Sequence, residues 1–82
     1  MVILWDERKR LANIDKHGID FADIAPEFFL HAMVVPAKLG GMMAIGRRAD
    51  GALVVVFAEL GAEAISIISA RPASQKEREL LR

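Results

Sequence analysis

The sequence predicts an α+β fold in which a small antiparallel β-sheet has two helices before most of its strands and one short helix after them. Three observations predict this arrangement. Helix start and stop signals surround the apolar residues of the first third of the chain, short apolar runs separated by glycine and proline fill residues 33–70, and a helix-capping pattern closes the chain. The element order is therefore β-α-α-β-β-β-β-α. With 82 residues and no cysteine, we expect one domain over residues 1–82, whose small core favours docking to a partner.

The first strand and the first helix follow from capping residues. Residues 2–5 form a short apolar strand, and Asp6 then suits the N-cap of a helix over roughly residues 7–16. Its carboxylate can accept hydrogen bonds from the free backbone N–H groups of the first turn. Gly18 is the natural left-handed residue to end this helix.

The middle of the chain changes from helix to strand. Asp20 is expected to cap a second helix, which Pro26 must kink or restart because proline has no N–H to donate. Beyond that helix, residues 33–35 form a short candidate strand. Gly40-Gly41 then separates it from a second strand over residues 42–47.

The remaining strands are separated by glycine turns. Asp50-Gly51 is a strong signal for a two-residue hairpin, and residues 52–58 are apolar throughout, as in a central strand covered on both faces. Gly61-Ala62 suits another tight turn before a strand over residues 65–70. Ser74-(x)2-Glu77 is a capping box that opens a short C-terminal helix.

Two-residue turns would fix the register of the last three long strands. Residue 49 would face 52, which faces 71, and residue 47 would face 54, which faces 69. Arg47 and Arg71 then share one face at the same end of the sheet, with Arg48 on the opposite face. Arg78 lies about one turn into the helix that leaves from that end. Three or four guanidinium groups are therefore expected near one rim, where they suit a phosphodiester.

Two blocks at opposite ends of the chain carry a family resemblance. They are Trp5-Asp6-(x)6-Asn13-(x)2-Lys16-His17-Gly18-Ile19 and Ile67-Ile68-Ser69-Ala70-Arg71-(x)5-Glu77-Arg78. In this order they resemble the BrnT family, the toxin half of a bacterial type II toxin–antitoxin pair. The resemblance implies a RelE-like fold, ribonuclease activity and a ribbon-helix-helix antitoxin called BrnA. It also implies a heterotetramer of two toxins and two antitoxins, in which DNA is contacted only through the antitoxin.

The candidate catalytic residues are Arg71, Arg78, Lys16, His17 and Glu77. The arginines would bind the scissile phosphate, and Lys16 or His17 would transfer protons. Each has a structural alternative. An arginine at a strand end is often solvated or paired with a nearby carboxylate, cations are favoured at a helix C-terminus as at Lys16 and His17, and Glu77 has a sufficient role in the capping box.

The candidate RNA-binding residues are Arg47, Arg48, Lys76 and Trp5, whose indole is otherwise expected to be a core group. Eleven basic residues balance eleven acidic ones, so an RNA site must be a local cluster of cations. We expect no cofactor and no metal site, since the two histidines lie far apart and cysteine is absent. No apolar stretch is long enough to span a membrane, and we expect a cytoplasmic protein.

Three departures from the family pattern leave a second reading open. Leu81 stands where the family ending Glu-Arg-x-x-Tyr would place tyrosine, Gly40-Gly41 replaces an acidic–basic pair, and Ser66 replaces arginine. The leading hypothesis is a growth-arresting ribonuclease toxin that its antitoxin neutralises, the complex repressing its own operon. The alternative is a catalytically weakened interaction module that acts mainly by binding the antitoxin. Apolar residues that look exposed would form the groove for the antitoxin; these are Met33, Met42, Met43, Leu80 and Leu81.

Overall fold

The computed structural model describes residues 1–49 and 51–82, and within them the elements follow the predicted order. These elements are β1 (Val2–Trp5), α1 (Glu7–His17), α2 (Pro26–His31), β2 (Met33–Pro36), β3 (Met42–Arg48), β4 (Gly51–Leu60), β5 (Ala64–Pro72) and α3 (Gln75–Glu79). Short 3-10 turns lie at Phe21–Asp23 and Lys38–Gly40. The predicted α+β class and element order are confirmed. No helix of the described residues is both long enough and apolar enough to cross a membrane.

Both predicted caps of α1 are present. The Asp6 carboxylate accepts a hydrogen bond from the backbone N–H of Arg8 at 2.8 Å. Gly18 ends the helix in the left-handed conformation with φ of 69°, and its N–H donates to the carbonyl of Ile14 at 2.8 Å. The helix therefore begins and ends where local capping chemistry allows it to, one residue beyond the predicted end.

Pro26 restarts the second helical segment. Asp20 caps only the 3-10 turn Phe21–Asp23, and α2 begins at Pro26 itself. Ala25 before the proline is extended, with φ of −81° and ψ of 156°, because the proline ring excludes the helical conformation from the preceding residue. The result is a six-residue α2 in place of one longer helix.

The sheet has the strand order β1-β5-β4-β3-β2. Strands β2 to β5 pair antiparallel, as expected, and β1 adds a parallel pair with β5, from Val2 opposite Ala64 to Trp5 opposite Ile67. The two paired strands are separated by most of the chain, so no local signal predicted their direction. Because β1 ends opposite Ile67, no strand of the described residues neighbours the rest of β5 on that side.

The predicted hairpin register is wrong by two residues at the arginine end of the sheet, and a β-bulge between Val56 and Phe57 reduces the β4–β5 error to one residue beyond it. Arg47 pairs with Ala52, and Val54 pairs with both Ile45 and Arg71. Gly51 belongs to β4 and pairs with Arg48, so pairing continues into the predicted Asp50-Gly51 turn, of which Asp50 lies outside the described residues. At the arginine end, a shift of two residues leaves each side chain on its predicted face, so Arg47 and Arg71 do share a face with Arg48 on the other, as predicted.

Two apolar clusters cover the two faces of β4. On the face under α1 and α2, which we call the helix face, the buried residues include Phe21, Leu53, Val55 and Ile67. On the opposite face, which we call the outer face, Ile45, Val54 and Ala73 are buried, with Leu81 packed against them. The prediction that β4 is covered on both faces is therefore confirmed. Among the residues expected to form an antitoxin groove, Met33 and Leu80 are exposed, while Met42, Met43 and Leu81 are partly buried.

Candidate functional site

A cationic pocket lies between α1 and the free edge of β5. Its volume is about 380 Å³, and we call it the α1–β5 pocket. Its lining comes from Lys9, Ala12, Asn13, Lys16 and His17 of α1 and from Ile68, Ser69 and Arg71 of β5. Among the described residues, the lining contains two lysines, an arginine and a histidine, and no carboxylate. Such a surface suits a phosphodiester.

Helical spacing brings the α1 side chains to this pocket. Lys9, Ala12, Asn13 and Lys16 follow the i, i+3, i+4, i+7 pattern of one helix face. Lys9 and Lys16 are exposed, and His17 in the last turn is partly buried. The two lysines therefore lie two turns apart on the same side of the helix, with His17 beside the second.

Asn13 holds α1 against β5. Its side chain is buried, with 6% exposure, and its amide meets the β5 backbone at Ala70. The Ala70 N–H donates to Asn13 Oδ1 at 3.0 Å, and Asn13 Nδ2 donates to the Ala70 carbonyl and to the Ile19 carbonyl, both at 2.9 Å. These bonds place the basic face of α1 directly beside the β5 edge that carries Ser69 and Arg71.

Arg71 lines the pocket while it is paired with Glu77. Its two terminal nitrogens donate to the two Glu77 carboxylate oxygens at 2.8 Å each, and Nη1 also reaches the Pro72 carbonyl at 3.3 Å. The Arg71 hydrogen bonds, helped by the bonds from Ser74, lower the pKa of Glu77 to about 2 although burial opposes the shift. Glu77 in turn raises the pKa of Arg71. The pair therefore stays charged throughout the physiological pH range.

Glu77 also completes the predicted capping box of α3. Ser74 Oγ accepts from the Glu77 N–H at 3.2 Å, and Glu77 Oε1 accepts from the Ser74 N–H at 2.8 Å. The Glu77 carboxylate thus caps the first turn of α3 and also orients the Arg71 guanidinium.

A second basic pocket lies on the other side of α3. It has a volume of about 300 Å³, and we call it the C-terminal pocket. It is lined by Arg47, Gln75, Arg78, Glu79 and Arg82. Arg47 Nη2 also donates to the Leu81 carbonyl at 3.0 Å, which ties the end of the chain to β3.

The structure therefore divides the predicted arginine rim between two pockets. Arg71 lines the α1–β5 pocket, whereas Arg47 and Arg78 line the C-terminal pocket. The cause is the position of α3 on the outer face: Glu77 binds Arg71 of β5, Leu81 packs on the apolar cluster, and the Leu81 carbonyl binds Arg47 of β3.

The other sequence-predicted residues line neither of the two basic pockets. Arg48 is partly buried and lines a larger pocket of about 430 Å³ together with Arg47, two carboxylates and His31. Trp5 is partly buried with its ring edge toward Phe21, at 6.4 Å between ring centroids, and its Nε1 donates to Glu7 at 3.2 Å. Lys76 is exposed on α3 and lines neither basic pocket.

Several lining residues of the two basic pockets were not predicted as site residues, among them Lys9, Ser69 and Arg82. Lys9 could have been found, because it lies seven residues before Lys16 on the same helix face. Ser69 lies in the C-terminal block that carries the family resemblance, two residues before Arg71, and Arg82 lies four residues after Arg78, outside that block. Within residues 1–49 and 51–82, no group of three or more His, Asp or Glu side chains is placed to hold a metal ion.

Two comparisons with known proteins agree on the family. The sequence profile of a family described as "Ribonuclease toxin, BrnT, of type II toxin-antitoxin system" matches residues 5–77. Among solved structures, the fold is similar to that of the Brucella abortus ribonuclease toxin, BrnT, with a TM-score of 0.84 and 53% sequence identity. That alignment covers 92% of this chain and 99% of the Brucella chain. Comparison with curated protein sequences gave no match.

Proposed function

This chain belongs to the BrnT family of ribonuclease toxins of type II toxin–antitoxin systems, and on that premise we propose that it cleaves RNA in the α1–β5 pocket by a metal-independent reaction. One observation supports this site above the others. Arg71 is distant in sequence from Lys16 and His17, and the three residues line the same pocket. The lining offers cations and an imidazole, which suit a phosphodiester better than they suit a magnesium or calcium ion, whose usual ligands are oxygen atoms.

The reaction has three requirements that these side chains can meet. The 2′-hydroxyl gives its proton to His17, and the 2′-oxygen attacks phosphorus. The bond from phosphorus to the 5′-oxygen breaks, and Lys16 protonates the departing 5′-oxygen. Arg71 and Lys9 neutralise the charge that develops on the non-bridging oxygens. The products are a 2′,3′-cyclic phosphate and a 5′-hydroxyl. His17 gains one proton and Lys16 loses one, so the protons balance.

The ion pair with Glu77 leaves Arg71 able to bind RNA. A guanidinium has five N–H donors, of which three are engaged with Glu77 and the Pro72 carbonyl. The remaining donors can bind a phosphate oxygen while Glu77 holds the guanidinium in place. Glu77 is on this account a positioning residue, and it transfers no proton in the reaction.

Membership of a type II system implies an antitoxin partner. We propose a ribbon-helix-helix antitoxin in a complex of two toxins and two antitoxins, which acts in the cytoplasm and represses its own operon through DNA contacts of the antitoxin. A catalytically weakened interaction module is the second candidate. It is favoured by Leu81, which stands where the resemblance would place a tyrosine and packs against the outer-face apolar cluster, in a chain that has no tyrosine.

Cleavage of a labelled RNA by the purified toxin tests the proposal. We expect cleavage in the presence of EDTA, with a 2′,3′-cyclic phosphate on the product. Arg71→Ala and His17→Ala should each lower the rate by about 100-fold or more. Arg8→Ala and His31→Ala are matched controls because both residues are exposed and lie outside the α1–β5 pocket. Circular dichroism establishes that each variant is folded, and growth after induced expression should follow the cleavage rates.

Three other results would contradict parts of this proposal. Loss of cleavage in EDTA that magnesium restores would refute the metal-independent reaction. Full activity in folded Arg71→Ala and His17→Ala would refute the site. A folded wild type that binds the antitoxin but neither cleaves RNA nor arrests growth would identify the interaction module.

A further inference from the structure

We infer that the C-terminal pocket is a second phosphate-binding subsite, which holds a neighbouring backbone phosphate of the RNA strand whose scissile phosphate lies in the α1–β5 pocket. The inference rests on the proposed function and names its substrate more closely. The substrate is a strand of several nucleotides, bound across α3 at two phosphates.

The side chains of this pocket have the chemistry of a phosphate site. Arg47, Arg78 and Arg82 line it together with Gln75, and Glu79 is the carboxylate among the lining residues. Three guanidinium groups around one carboxylate leave a local excess of positive charge in a chain whose formal net charge is zero. Arginine binds phosphate through paired N–H donors, and Gln75 adds a neutral donor.

The donors of these arginines are largely unused, unlike those of Arg10 and Arg71. Arg10 is bound to both Glu7 and Asp20, and Arg71 is bound to Glu77, so these two have structural partners. Within residues 1–49 and 51–82, the side chains of Arg78 and Arg82 make no hydrogen bond or ion pair, although Glu79 lines the same pocket. Arg47 uses one donor on the Leu81 carbonyl. Among the described residues, these three arginines share a pocket without forming ion pairs, so most of their N–H donors are available to an external anion.

The fold places this pocket within reach of the same strand of RNA. Arg47 of β3 and Arg71 of β5 project from the outer face, with β4 between their strands. Neighbouring strands lie about 4.8 Å apart, so β3 and β5 are separated by about 10 Å. Helix α3 lies between, with Glu77 directed to Arg71 and the next residue, Arg78, in the C-terminal pocket. A bound strand that crosses α3 therefore meets cations on both sides.

Two substrates of different length test the subsite. A dinucleotide has one phosphodiester and can fill only the α1–β5 pocket, whereas a longer oligonucleotide can also reach the C-terminal pocket. We expect Arg82→Gln to lower the ratio of kcat/KM for the oligonucleotide to kcat/KM for the dinucleotide by about ten-fold. Glu79→Gln, which removes the carboxylate, should raise the same ratio by about two-fold. Arg8→Gln is the matched control, since Arg8 is exposed on α1 and lines neither basic pocket.

A ratio that stays constant in Arg82→Gln would overturn the subsite. If activity on both substrates falls equally, the ratio is constant and the effect lies in the fold or in the reaction. A loss of antitoxin affinity with a constant ratio would assign the surface to an acidic segment of the antitoxin. If the wild type cleaves neither substrate, the proposed reaction fails, and the affinity of the two RNAs for wild type and Arg82→Gln decides the subsite on its own.

Discussion

At the scale of single residues, Asn13 acts on β5 as a neighbouring strand would. Strand β1 ends opposite Ile67, and three residues later the Asn13 amide supplies both the acceptor and the donor that the Ala70 backbone needs. Buried backbone groups without partners are costly, so this one side chain permits α1 to cover a free sheet edge. As a result, the α1 cations Lys9 and Lys16 line the same pocket as Arg71.

Replacing Asn13 should therefore destabilise the fold more than a surface substitution would. Asn13→Leu leaves the Ala70 N–H and carbonyl buried without partners, and we expect a loss of about 2–4 kcal/mol in the free energy of unfolding. Asn13→Asp keeps the shape but directs a carboxylate at two carbonyl oxygens, and should be comparably harmful. Asp15→Ala, on the exposed side of the same helix, is the control. Urea unfolding measures the change, and a loss below about 0.5 kcal/mol in Asn13→Leu would contradict this account.

At the scale of elements, α2 is positioned by close contact with a glycine in β3. Gly46 is buried, and a Cβ atom at this position would lie 2.7 Å from Phe28 Cε1 and 3.0 Å from Cζ. The Phe28 ring in turn packs edge-on against Phe29, at 5.4 Å between centroids, and Phe29 packs against Phe57 of β4. A six-residue helix has little stability of its own, so these aromatic contacts hold α2 on the sheet.

Gly46→Ala should force this helix away from β3. The added methyl overlaps the Phe28 ring, and we expect a loss of about 1–3 kcal/mol in the free energy of unfolding, part of which Phe28→Leu should recover. Gly41→Ala is the matched control because its new Cβ would meet its nearest neighbour at 3.4 Å, an ordinary contact. Thermal or urea unfolding of the single and double variants measures the coupling. Additive losses in the double variant would show that the two residues do not clash.

Helix α3, at the other end of the chain, is likewise held in place by contacts outside the helix. Its five residues are held by the Ser74–Glu77 capping box, the Glu77–Arg71 pair and the packing of Leu81. These contacts fix the helix between the two basic pockets. The position of α3 therefore determines which arginine lines which pocket.

At the scale of the whole molecule, the Glu77–Arg71 pair links stability to pH. The pKa of Glu77 is lowered to about 2 in the folded protein, from an ordinary value of 4.5. A carboxyl group with a depressed pKa contributes stability that is complete above its ordinary pKa and is lost as the pH falls toward the folded value. The stability of the wild type should accordingly decline as the pH falls from about 4.5 to about 2.

Comparison with Glu77→Gln isolates this contribution. At neutral pH the variant should be less stable by about 1–3 kcal/mol, because Arg71 loses a charged hydrogen-bonding partner. The difference from the wild type should shrink as the pH falls toward 2, where the wild-type carboxylate is itself protonated. Urea unfolding across this pH range measures both curves, with Glu79→Gln on the exposed side of α3 as the control. A difference independent of pH would show that the ion pair is not its source.

The sequence by itself determined the elements and the faces of the sheet. Asp6, Gly18, Pro26 and the Ser74–Glu77 box act through backbone groups within a few residues, and alternation along the strands assigned Arg47 and Arg71 to one face even where the register was wrong by two. Only the tertiary structure decided that β1 lies parallel to β5, that the Asn13 amide completes the β5 edge, and that α3 divides the arginines between two pockets. The physical reason is the separation in sequence between the interacting groups. Caps and turns are satisfied by residues a few positions away, whereas the partner of a strand edge or of a guanidinium group can lie anywhere in the sequence and is determined by the tertiary fold.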